Sequence, residues 1–214
     1  MSSFDTPLFS FSSLEFNEGN EVEGYQIVNS IDDLPDDPKP GDVVYIKFSI
    51  FRTGSWEHPF YGDIEFDVSY LKGLIKNLES GVVPRRIGFN LEHTSHQGDI
   101  GNVGWFEKLM LRDGTVSGPG GDNDVTFLDA IVQVNSEGIK LLKDRRYAYS
   151  SAEIHPNFTT NEKFKQGNKS KVYSHGPTLV GCAFTNRPFI PSLGEVIEFS
   201  TSGWSKDSKG NNYV

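Results

Sequence analysis

Hydrophobic and polar positions along this chain fall into short runs, and most of those runs have the two-residue period of strands. The segment from Asp42 to Phe51, DVVYIKFSIF, is rich in β-branched and aromatic residues and reads as a first central strand. Ile87 to His93, Gly101 to Leu111 with Trp105 as a core anchor, Thr126 to Val134 and Thr178 to Thr185 read the same way. Within RRYAYSSAEIHPNF, from Arg145 to Phe158, Tyr147, Tyr149 and Ser151 alternate with Ala148, Ser150 and Ala152, so a serine shares one strand face with two tyrosines. Two segments have the helical period instead. Asp67 can N-cap a helix through Asn77, with Leu71, Leu74, Ile75 and Leu78 on one face and a stop near Gly81. A shorter helix is expected from about Ser136 to Lys143, capped by Asn135 or Ser136. Arg112 to Asp124 reads as a mobile surface loop and Thr159 to Ser170 as a polar insertion. No internal repeat is visible.

Composition agrees with a sheet-rich core: Gly 22, Phe 16 and Tyr 8 among 214 residues favour strands and turns over a helical bundle. The net charge of −9 is unevenly placed, because the first forty residues hold nine acidic side chains and one lysine. Residues 1–40 therefore read as an acidic arm and linker, 41–200 as a single domain, and 201–214 as a polar tail. Nothing resembles the basic stripe that duplex nucleic acid requires. Cys182 is the single cysteine, so no internal disulfide can form, which fits a reducing compartment or an enclosed assembly without oxidative folding. No apolar run approaches the roughly 20 residues that span a bilayer, and the expectation is a soluble, cytoplasmic protein without a membrane partner.

Several candidate motifs dissolve on inspection. GPGGDND lacks the Gly-Lys-Ser/Thr of a phosphate loop and reads as a surface hairpin. Asp122, Asn123 and Asp124 do not open an EF-hand, since Gln133 stands where the bidentate glutamate belongs. His93 and His96, with Glu92 and Asp99 nearby, suggest a metal site, and a hydrolase using His93, His96 and Asp99 is one reading. The helical spacing of a zincin is absent, however, and strand-to-turn geometry makes such residues diverge. Ser151 lacks a Gly-x-Ser-x-Gly elbow, and a serine in a strand acts as a nucleophile only with a general base beside it.

The order of these segments carries more than any one of them. LEHTSHQGDIGNVGWFEKL, a strand and helix, RYAYSSAEI and then LVGCAFTNRPFIP together resemble the Mu-type bacteriophage prohead (scaffold) protease family over most of residues 42–192. The matching positions are Glu92 and His93; Val103, Gly104 and Trp105; Tyr147, Tyr149 and Ser151; and Thr185, Asn186, Arg187 and Pro188. Ala152, where the family often has proline, and Ile154, where it has an aromatic residue, are departures. The resemblance implies an α+β, mainly β fold like that of herpesvirus assemblin: an antiparallel β-barrel of about seven strands flanked by helices. It also implies a serine endopeptidase, with Ser151 as nucleophile and His93 as general base. His175 is the nearest third member by chain order, with Thr178, Asn186 and Glu153 open. Backbone amides around Asn186 and Arg187 are the implied oxyanion donors. The implied substrates and partners are the scaffold and major capsid proteins inside a procapsid in the host cytoplasm, with self-cleavage and no cofactor. Assemblin dimerises, which leaves a homo-oligomer open. A non-catalytic assembly protein that binds scaffold on the same fold is the competing expectation.

Overall fold

The computed structural model describes residues 21–22, 24–28, 30–58, 62–93, 101–118, 121–163, 170–190 and 193. The tail at 201–214, His96, Asp99 and the phenylalanines at 4, 9, 11 and 16 lie outside the described residues. In chain order come β1 (Glu21–Val22), β2 (Tyr25–Gln26), a 3-10 turn (Ile31–Asp33), β3 (Val43–Arg52), β4 (Gly54–His58) and β5 (Gly62–Phe66). Then follow α1 (Val68–Glu79), β6 (Gly88–Leu91), β7 (Gly104–Gly118), β8 (Gly121–Asn135), α2 (Ser136–Lys143), β9 (Tyr149–Lys163) and β10 (Ser170–Thr185). Both helices start where a side chain caps them. Asp67 accepts from Tyr70 N at 2.7 Å and Asn135 from Gly138 N at 3.0 Å, which satisfies amides that lack intrahelical partners.

Six strands form one sheet in the order β3-β8-β7-β6-β10-β9, antiparallel throughout except for the parallel β6–β10 pair. The expected closed antiparallel barrel is not formed: the sheet is open and β3 and β9 are its edges. These edges approach each other, and there Ser150 Oγ donates to the carbonyl of Ser49 at 3.0 Å. A side-chain bond of this kind is not a ladder, and closure needs backbone amides and carbonyls free on both edges. On β3, Tyr45 O already accepts from Val28 N at 2.8 Å, and a bulge interrupts the register between Ser49 and Phe51. On β9, Pro156 has no amide to offer. β3 is consequently an edge strand and not a central one.

The described parts of two stretches expected as loop or insertion are strand. β7 and β8 stay paired out to Gly118 and Gly121, and β9 pairs with β10 from Tyr149 to Lys163. Trp105 is half-buried on the outer side of the sheet, with the Arg86 guanidinium 5.2 Å from its ring, and is not the core anchor. That anchor is Phe89, whose ring lies 5.3 Å from Phe48, 5.9 Å from Phe106 and 4.3 Å from Phe184, all inside the main core. Leu71 and Leu74 bring α1 onto the same core. Part of the acidic N-terminal stretch joins it as well: Val28, Ile31 and Leu34 are buried, and Lys143 Nζ donates to Leu34 O at 2.8 Å while pairing with Asp36.

One charged network is buried beside this core. Arg112 Nε donates to Asp129 Oδ2 at 2.8 Å, Ser49 Oγ donates to Asp129 Oδ1 at 2.6 Å, and Arg112 Nη2 reaches Ser49 Oγ at 3.0 Å. Asp129 is fully buried, and Arg112 also lies 4.4 Å from the Phe127 ring. Removing one partner strands the other's charge in a desolvated place. Asp129→Ala is expected to lower unfolding free energy by about 3–5 kcal/mol in urea titration. The paired change Asp129→Leu with Arg112→Met is expected to restore most of it.

Tyr70 on α1 stacks near Phe51 and Phe66, and this burial pushes its phenol up to about 12. The unfolded phenol titrates near 10, so the folded state holds the proton more tightly above that pH. The stabilisation is complete below about pH 10 and disappears as pH rises towards about 12. Melting curves across this window are expected to fall more steeply for the wild type than for Tyr70→Phe.

Candidate active site

The site lies where β6, β10 and β9 run side by side, on the face opposite the aromatic core. Alternation assigns the faces: Phe89, Cys182, Phe184, Ser150 and Ala152 point to the core, so Asn90, Gly181, Ala183, Ser151 and Glu153 share the other side. Register sets the rows. Asn90, Ala183 and Ser151 stand opposite one another across the three strands, and Glu153 stands opposite Gly181. The absence of a side chain at Gly181 matters, because a Cβ there would collide with Glu153 Oε2. The Glu153 side chain lies across β10 and reaches β6.

Beyond β6 the chain turns sharply. Glu92 and His93 both adopt left-handed backbone, with φ of 47° and 58°, which non-glycine residues rarely do. Three bonds hold Glu92 and the end of β10 in place: Glu92 N donates to Phe184 O at 3.0 Å, Thr185 Oγ1 donates to Glu92 Oε2 at 3.1 Å, and Arg187 N donates to Thr185 Oγ1 at 3.0 Å. The turn brings His93 Nδ1 to 3.0 Å from Glu153 Oε1. A carboxylate only accepts, so Nδ1 carries the proton, and in the neutral ring Nε2 is left with its lone pair. His93 is 41% exposed and Glu153 17%, which leaves the imidazole accessible and its partner largely covered.

Ser151 is half-buried, two residues along the strand from Glu153 and on the same face. Its hydroxyl makes no hydrogen bond to a described residue, His93 included. Its neighbour Ser150 is fixed by the bond to Ser49 O, so the backbone beneath Ser151 is pinned from the core side. Asn186 ties the start of this strand to the end of β10, accepting from Ala148 N and donating to Arg146 O, each at 3.0 Å.

Chain order pointed to His175 as the third member, and the structure seats it elsewhere. Its Nε2 is 2.8 Å from Thr160 Oγ1, and its carbonyl accepts from Asn77 on α1 at 2.8 Å. It precedes Gly181 by six positions on β10, a separation on the order of 20 Å at about 3.3 Å per strand residue. Thr178 is likewise engaged by Asn77. Among the four residues left open for that role, Glu153 alone meets His93. The amide of Arg187, an implied oxyanion donor, is already taken up by Thr185. Sequence reading passed over Asn90, although a polar residue between Phe89 and Leu91 in an otherwise apolar strand marks a face reserved for something other than packing. Among the described residues no group of three or more histidine, cysteine or acidic side chains is arranged to hold a metal.

No family model matches the chain, and neither a curated protein nor a solved structure matches it.

Proposed function

We propose that the chain is a serine endopeptidase in which Ser151 attacks, His93 acts as general base and then general acid, and Glu153 orients the imidazole. The observation that carries this reading is the 3.0 Å contact between His93 Nδ1 and Glu153 Oε1, with Glu153 two residues along the same strand face from a serine hydroxyl that has no hydrogen-bond partner among the described residues. Glu153 holds the tautomer that leaves Nε2 unprotonated and stabilises the imidazolium that forms. Nε2 takes the proton from Ser151 Oγ as the oxygen adds to a peptide carbonyl. The same proton then passes to the departing amine, and water releases the acyl group from Ser151 by the reverse sequence.

The motif order that resembles the prohead proteases supports a substrate class: segments of scaffold and major capsid protein, and of this chain itself, within a procapsid in the host cytoplasm. A second reading, a non-catalytic assembly protein that binds scaffold, is favoured by one observation, the absence of a hydrogen bond between Ser151 and His93. Catalytic hydrogen bonds are often long before substrate arrives, so that observation alone does not decide.

A fluorophosphonate probe followed by peptide mass spectrometry separates the two. Labelling of Ser151, and cleavage of co-expressed scaffold that is lost in Ser151→Ala at an unchanged melting temperature, is the expected result. An unlabelled Ser151 with uncut scaffold defeats the peptidase reading. Within the site, Glu153→Gln is expected to lower kcat by about 10³- to 10⁴-fold, as when a triad carboxylate becomes an amide and the imidazole takes the wrong tautomer. His175→Gln is expected to leave cleavage within about twofold of wild type, because its ring bonds only Thr160 among the described residues. The reverse ranking in single-turnover assays would return the third role to His175.

A further inference from the structure

Glu153 is not held by His93 alone. Asn90 Nδ2 donates to Glu153 Oε1 at 3.1 Å, the same oxygen that faces His93 Nδ1 at 3.0 Å. Asn90 is 3% exposed, so its amide is almost out of contact with water and requires a protein partner. The other wall of this arrangement is Gly181, where the carboxylate occupies the space a side chain would fill. His93, 41% exposed, is carried on a turn, whereas Asn90 sits within β6 between Phe89 and Leu91.

We propose that Asn90 and Gly181 form a seat for the Glu153 carboxylate and are positioning residues for His93: Asn90 donates to the oxygen that receives the imidazole, and Gly181 leaves room for it. This rests on the reading of Ser151, His93 and Glu153 as a triad. It assigns a role to two residues that touch neither substrate nor the reacting atoms. The seat does two things. It fixes Oε1 at the meeting point of two donors, which sets the direction in which Nε2 points. It also gives a largely covered carboxylate a donor that does not titrate, so its charge is met even when the imidazole swings away.

The test uses the full chain and two readouts, one of which does not need turnover. In wild-type protein, proton NMR in water is expected to show a downfield imidazole N–H signal that disappears in His93→Gln. In Asn90→Leu, which keeps volume but removes the donor, that signal is expected to move upfield or broaden by exchange. The same variant is expected to lose about tenfold to hundredfold in kcat, as for outer partners of other ordered sites, with KM unchanged. Gly181→Ala, which leaves Asn90 intact, is expected to disturb the same resonance, and it decides the matter if Asn90→Leu does not fold. An undisturbed N–H signal in a folded Asn90→Leu or Gly181→Ala protein overturns the seat. A signal that responds to both variants in a protein that neither takes up the phosphonate nor cuts scaffold supports the seat and removes the peptidase reading, so the two ideas fail separately.

Discussion

The contact on which the rest depends is the edge-on meeting of Phe89 and Phe184, 4.3 Å apart at their centroids, beneath the parallel pairing of β6 and β10. Strands have a period of two, so fixing those two rings inside the core fixes Asn90 and Ala183 on the other face, and a slip of one residue would exchange the sets. From β10 the same register passes to β9 and places Ser151 and Glu153. The chemistry of the outer face thus inherits its positions from hydrophobic packing on the inner one. Phe48 and Phe106 complete that inner cluster and bring in β3 and β7.

Polar interactions then refine what packing has placed. Glu92 and Thr185 lock the exit of β6 against the exit of β10, and Asn186 draws in the start of β9. Ser150 and Ser151 show how one strand serves two purposes with one residue type. The first turns inward to cross-brace β3, and the second turns outward with its hydroxyl free of described partners. Ser49, which receives that brace through its carbonyl, belongs through its hydroxyl to the buried Arg112–Asp129 network. Sheet edge, charged network and candidate nucleophile are therefore mechanically adjacent.

Much of the fold was legible in the chain. The caps at Asp67 and Asn135 and the apolar stripe of α1 marked both helices, and β-branched runs marked the core strands. The ribbons were not legible: the outer parts of β7–β8 and β9–β10 are mostly polar, and a single buried valine, Val116, is too little alternation to set the first apart from loop. Closure of the sheet is not legible because it depends on which edge carbonyls and amides are already occupied, as Tyr45 O is by Val28 N, and no local pattern encodes that. The site was half legible. Ser151 and His93 stood out by motif, whereas the partner of His93 was sought along the chain and found across it. Parallel pairing of β6 with β10 carries Glu153 over a glycine to the histidine, a neighbourhood that sequence distance conceals.

The two consecutive left-handed residues, Glu92 and His93, have a consequence for anyone trying to harden this protein. Each sits in a backbone region that costs of order 1–3 kcal/mol for a residue with a side chain. Selection for heat resistance alone would favour glycine or asparagine at these two places, since either relaxes the bend. On the proposed mechanism the toughest survivors of such a screen would lose activity, their imidazole deleted or set loose, and durability would be won at the expense of the corner that carries it.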